Sequence, residues 1–174
     1  MHKKGFPPVV PASPRVLILG SMPGEQSLAA TQYYAHPHNL FWPFMASICG
    51  ETLPGPYDAR LDMLHRHGIA LWDVCDTCIR EGSLDTAIRE VVPNALPDLL
   101  REHPSIQLLA FNGQKAAALF HKYFGNAIDI DQITLPSTSP ANAGKSRQLK
   151  EDAWLQLKSC LKDESAGKQG RLKK

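Results

Sequence analysis

The chain has 174 residues, 43% of them hydrophobic, with 19 basic and 17 acidic side chains and a formal net charge of +2. That is enough apolar material for one ordinary soluble domain without disulfide or metal staples, and too little net charge for binding by overall charge, so any nucleic-acid affinity must come from a local patch. No apolar run approaches the length of a membrane span and the N-terminus lacks the apolar region of a secretory signal; a cytosolic protein with no membrane partner is expected.

In chain order, residues 1–14 hold five prolines or glycines and two lysines, which predicts an irregular arm able to graze DNA. Val16, Leu17, Ile18 and Leu19 form a short apolar run suited to a strand buried on both faces. Gly20 and Gly24 bracket the turn that follows, where backbone amides can approach a ligand, and ligands of open α/β sheets sit at the carboxyl ends of strands. The spacing fits neither the dinucleotide fingerprint nor the P-loop. Next comes a dense group of aromatic and amide side chains: Tyr33, Tyr34, the His-Pro-His-Asn run ending at Asn39, Phe41 and Trp42.

The apolar spacing over 39–49 predicts a helix capped by Asn39 and ended by Gly50, and 57–67 a second one stopped by Gly68. Residues 69–72 read as the second buried strand, with Asp73 at its mouth, placed either to face the pocket or, the favoured reading, to serve a turn or cap. A helix is expected over 84–91 and another, capped by Asn94, up to about residue 103. Strands at 106–111 and 130–135 flank a helix at 114–124 that Gly125 closes, and 146–161 carries the last helix. This alternation predicts an α/β fold, a three-layer α/β/α arrangement around a four-stranded, mainly parallel sheet, spanning 15–162 as one domain. The polar tail, 163–174, is expected to be disordered.

Of the four cysteines, Cys49, Cys75, Cys78 and Cys160, only Cys75 and Cys78 form a C-x-x-C pair, and the spacing is unlike that of an iron–sulfur site. Free thiols are expected. The pairs His36/His38 and His65/His67 lack a third ligand at helical spacing, so neither metal nor cofactor is expected.

GSMPG at 20–24, YYAHPHNLFW at 33–42, AFNG at 110–113 and LPSTSPAN at 135–142 together resemble, in matching order, the uracil-DNA glycosylase superfamily, and most of all its hypoxanthine-DNA glycosylase branch. The resemblance implies a monofunctional, monomeric, cofactor-free enzyme that acts on DNA containing a deaminated base, foremost hypoxanthine, and leaves an abasic site. In most members the third residue of the first motif is an Asp or Asn that handles the attacking water; here it is Met22, whose thioether cannot do so. The resemblance passes that role to Asn39, whose carboxamide would hold the water by its oxygen and stabilise a cationic sugar without removing a proton.

Phe41 matches the residue that stacks on the flipped base in similar enzymes, though it also falls on the apolar helical face. Asn112 matches one that pairs with the base edge, and an amide suits the N1 hydrogen and O6 of hypoxanthine; capping the helix from Gln114 is its other reading. Gly20, Ser21, Met22 and Tyr34 complete the implied base pocket. Pro23, Gly24, Ser137, Thr138, Ser139, Pro140, Ala141 and Asn142 form the implied DNA contacts, the three hydroxyls toward phosphates. Ser137 stands where the second motif usually has His or Asn, which weakens the case for efficient uracil cleavage. Ala141 stands where it usually has an intercalating leucine, leaving the Pro140 to Asn142 backbone and Asn142 to plug the gap. No lysine occupies the matched motifs, so no Schiff-base lyase step is implied. A uracil- or mismatch-specific glycosylase of the same fold and a non-catalytic nucleic-acid-binding module remain open alternatives.

Overall fold

A computed structural model describes residues 1–162; the tail expected to be disordered lies outside the described residues. Four strands, β2 (Val16–Gly20), β3 (Ile69–Asp73), β6 (Leu108–Asn112) and β7 (Asp131–Leu135), form a parallel sheet in the order β3-β2-β6-β7. The central β2 reads VLILG and is buried along its whole length, as a strand covered on both faces must be. Leu17, Ile18 and Leu19 are wholly buried, each worth about 1.5–3 kcal/mol relative to exposure.

Alternation along β2 decides which layer each side chain joins. Val16 and Ile18 pack with α2 (Phe41–Cys49), α3 (Tyr57–Arg66) and α6 (Arg147–Leu155), through Phe44, Met45, Leu64 and Trp154. Leu17 and Leu19 face the other way, onto α4 (Leu96–Glu102) and α5 (Gln114–Phe124), through Leu96, Ala116 and Phe120. The three-layer α/β/α arrangement is therefore as the sequence predicts. Gly50, Gly68 and Gly125, all at positive φ, end the helices they were expected to end.

A second sheet was not foreseen. In it β1 (His2–Lys4), β4 (Cys75–Ile79) and β5 (Arg89–Pro93) pair antiparallel in the order β1-β4-β5. The N-terminal segment is thus only partly irregular: it supplies β1, and further along Val9 bridges Leu71. Two register shifts between β4 and β5 bury Cys75 and Cys78, three residues apart, which erases the two-residue period a strand shows in sequence. The helix expected over 84–91 is only a 3₁₀ turn, Asp85–Ala87, before β5, because Glu90 lies at φ 50° and the β-branched Val91 and Val92 belong to a strand. A short helix, α1 (Glu25–Ala30), also follows the 20–24 turn directly. Asn94 is not a helix cap; buried, it donates to the carbonyls of Asp73 (2.8 Å) and Cys75 (3.2 Å), tying the end of β3 to β4. The last helix gives way to a 3₁₀ segment at Gln156–Leu161.

Candidate active site

The carboxyl ends of β2, β3, β6 and β7 open into a cavity of about 860 Å³. From the first motif it is lined by Gly20, Ser21, Met22, Pro23 and Gly24, and from the aromatic segment by Tyr34, His36 and Asn39. Asn112 lies at the end of β6, and Ser137, Thr138, Ser139, Pro140, Ala141 and Asn142 close the opposite side. Motifs more than a hundred residues apart in sequence thus meet in one cavity. Phe41 is the one expected site residue outside it.

Phe41 is completely buried, and the Tyr34 ring is stacked on it with centroids 4.0 Å apart. The aromatic face that the cavity offers is therefore Tyr34, backed by Phe41. Tyr34 is held at φ 53°, an uncommon conformation for a bulky residue. Trp42 and Trp154 fix Phe41 from two sides by edge contacts at 4.9 and 6.3 Å.

Asn39 does two things at once. Its Oδ1 accepts the backbone N–H of Phe41 (3.0 Å), so the amide fastens the start of α2 one residue ahead of the formal cap, Leu40. That bond fixes the amide plane and leaves the second lone pair of Oδ1 and both Nδ2 protons unused by it, on a residue that lines the cavity. Leu40 N–H in turn donates to the carbonyl of Thr138 (3.1 Å), joining this segment to the 137–142 loop.

Asn112 is engaged at both ends of its amide. Nδ2 donates to the Thr138 hydroxyl (3.0 Å) and Oδ1 accepts the Thr138 N–H (3.0 Å). It does not cap α5, whose preceding residue is Gly113 at φ 94°. A Cβ at Gly113 would stand 3.1 Å from that of Ser137, so glycine permits this close approach of strand end to loop. The loop is braced further from within: Ser139 N–H donates to the Ser137 hydroxyl (3.2 Å), Ala141 N–H to the Ser139 hydroxyl (3.2 Å), and Asn142 Nδ2 to the Ser137 carbonyl (3.4 Å). Buried Lys150 holds the Asn142 carbonyl from behind. Having accepted, the Ser137 and Ser139 hydroxyls each keep a proton of their own.

Asp73 and the 82–86 loop received little weight in the sequence. Asp73 pairs in register with Gly20, and a Cβ on Gly20 would run into its carboxylate and come within 3.0 Å of the Tyr34 hydroxyl. Glycine at this position is what lets the two polar groups converge beside the first motif. Both are buried, and neither Asp73 Oδ2 nor the Tyr34 hydroxyl has a hydrogen-bond partner. Burial pushes the Asp73 carboxyl up to about 7; Arg80 opposes that shift and Asp85 adds to it. Burial, and then the Asp73 charge, push the Tyr34 phenol well above its ordinary range, so it stays a hydroxyl. Arg80 is itself fully buried behind the 20–24 turn and donates to the Pro23 carbonyl. The signal that could have found Asp73 is an acidic residue directly after an all-apolar strand, at the sheet end where ligands bind.

Met22 is 6% exposed and packs into the core beside Leu19, so its thioether supplies shape. Burial pushes the Cys49 and Cys75 thiols up to about 12, which keeps them protonated at neutral pH. Among the described residues no group of His, Cys, Asp and Glu is placed to hold a metal ion, and no helix is long and apolar enough to cross a membrane.

The family model for the uracil DNA glycosylase superfamily matches residues 7–158. This chain belongs to that superfamily. Among its relatives is a protein of Methanosarcina barkeri named hypoxanthine DNA glycosylase, 38% identical over 157 residues, an alignment covering 90% of this chain and 98% of the relative. A Methanosarcina acetivorans protein of the same name is 36% identical over 155 residues, covering 88% and 96% respectively. The solution NMR structure of a candidate uracil DNA glycosylase from Methanosarcina acetivorans superimposes with a TM-score of 0.81 at 34% identity, covering 92% of this chain and 99% of the other. In this superfamily member, then, the cavity at the sheet end is lined from the segments 20–24, 33–42, 110–113 and 135–142, with Asn39, Tyr34 and Asp73 among its side chains.

Proposed function

We propose that this superfamily member is a monofunctional DNA glycosylase that extrudes a deaminated base, hypoxanthine foremost, and hydrolyses its N-glycosidic bond to leave an abasic site. The carrying observation is the meeting of Asn39, the Tyr34 face and the unpartnered Asp73 carboxyl in one cavity large enough for a nucleoside. The two relatives named for hypoxanthine support that choice of base.

A base within a duplex is out of reach, so the nucleotide must turn out of the stack. In the cavity the extruded base lies on Tyr34, with Phe41 as the rigid backing. Asn39 holds a water against the sugar by the free lone pair of Oδ1, and its amide dipole stabilises positive charge there. As the bond from C1′ to N9 breaks, its electron pair leaves with the base and the water oxygen joins C1′, with a proton ending on the base. The developing negative charge on a purine is eased by a donor at its polar edge. Neutral Asp73 is such a donor, and at about 7 its carboxyl is protonated in a large share of molecules near neutrality.

Asn112 serves mainly by locking the 137–142 loop. Ser137 and Ser139 meet the phosphates with hydroxyl donors, while buried Thr138 anchors the loop to Asn112, and Lys145 at the rim adds one positive charge.

The test is single-turnover base release from otherwise identical oligonucleotides carrying deoxyinosine or deoxyuridine. Deoxyinosine should yield an alkali-labile site faster, and Asn39→Ala should lower that rate by about 100-fold or more with the fold retained. Faster release of uracil would favour the uracil-directed reading instead, and lesion binding without release at enzyme excess the non-catalytic one.

A further inference from the structure

Extruding a base leaves a gap in the stack, and the duplex closes again unless something fills it. The 137–142 loop is poorly made for this. Its exposed tip offers Pro140 and the methyl group of Ala141, while the Asn142 side chain is turned back onto the Ser137 carbonyl. Across the cavity mouth stands the 82–86 loop, which bears Leu84, 57% exposed and lining the rim.

Single exposed leucines are common and by themselves mean little. Leu84 differs in how it is held. Its two neighbours are both fastened to the segment that follows β2: the Ser83 hydroxyl accepts the Glu25 N–H (2.8 Å), and Asp85 Oδ1 accepts the Ser21 hydroxyl (2.6 Å). The Ala87 N–H closes the 3₁₀ turn onto the Leu84 carbonyl (3.1 Å). Pinned on both sides, the loop presents one large apolar side chain to solvent with little backbone freedom left to lose on binding. The other large apolar side chains exposed among the described residues, Met1, Val92 and Leu149, do not line the cavity.

We infer that Leu84 is the wedge that enters duplex DNA as the base leaves, opposite the short 137–142 tip. The inference rests on the glycosylase reading above. It also ties the wedge to the base site, because Ser21 joins the two through Asp85.

The experiment compares single-turnover release of hypoxanthine from one deoxyinosine oligonucleotide, as a duplex and as a single strand, for the wild type, Leu84→Ala and Leu84→Phe. A single strand has no opposing stack to hold open, so the readout is the ratio of duplex to single-strand rates. A 2-aminopurine next to the lesion reports the opened step by its fluorescence. Leu84→Ala should lower the ratio by about tenfold and diminish the fluorescence rise, and Leu84→Phe should restore both. An unchanged ratio, or a proportionate fall on both strands, would overturn the inference while leaving the glycosylase reading intact. A wild type that releases base from neither substrate would overturn both.

Discussion

Asn112 and Asp73 occupy matching places. Each ends a strand that flanks β2, and each lines the cavity. Yet both ends of the Asn112 amide are bonded to Thr138, while Asp73 has a buried oxygen with no partner. Leaving a buried polar group unpaired costs about 1–3 kcal/mol, so a fold tolerates it where something else is gained. The contrast separates two duties: the amide welds strand to loop, and the carboxyl waits for a ligand.

Substitutions should divide accordingly. Of the two, Asp73→Ala should slow the reaction more, lowering single-turnover release from deoxyinosine by about 100-fold with little loss of thermal stability, since no protein hydrogen bond to its carboxyl is broken. A loss below about threefold would put Asp73 outside the reaction. Asn112→Ala should do the reverse in part: it strands the Thr138 N–H, costs about 1–3 kcal/mol in denaturant unfolding, and slows release by about tenfold through a loosened loop. If Asn112→Ala proves the more damaging to rate and harmless to stability, the two duties have been assigned the wrong way round.

Tyr34 and Phe41 sharpen the same contrast among the aromatics. Tyr34→Ala should weaken inosine-containing DNA by about 1–3 kcal/mol in equilibrium binding. Phe41→Ala should instead cost about 3–5 kcal/mol of stability, because it empties the core beneath. Equal loss of binding from both at unchanged stability would restore Phe41 as the stacking face.

A further effect is on stability against pH. With its folded value raised to about 7 from 3.8, the Asp73 carboxyl keeps a proton that the unfolded chain has lost across that interval, so the native state loses stability as pH rises through it. Asp73→Asn should therefore raise the melting temperature above that of the wild type at about pH 8, with the margin shrinking toward about pH 4. A margin that grows on acidification would contradict the buried, uncompensated carboxyl.

The parallel sheet was legible because its burial is two-sided: VLILG, IALWD and LLAFN are near-continuous apolar strands, and glycines mark the helix ends. The motifs that line the cavity were legible through resemblance, since composition alone does not distinguish LPSTSPAN from an ordinary loop. The antiparallel sheet was hidden by the register shifts in β4 and by the propensities of 84–91, which long-range pairing with Cys75–Ile79 overrules. Phe41 stood between stacking face and core for a simpler reason. Spacing shows that it and Tyr34 share a neighbourhood, but only packing decides which ring lies on top.

The dependence of base release on pH tests the account most directly. Single-turnover rates from deoxyinosine duplex, followed across neutrality for the wild type and Asp73→Asn, compare a donor that ionises at about 7 with an amide that never does. The account predicts a wild-type rate that falls as pH rises through that value and an Asp73→Asn profile that stays flat over the same range. A wild-type rate that climbs with pH, or two profiles that run parallel, would show that the neutral carboxyl does not serve the departing base.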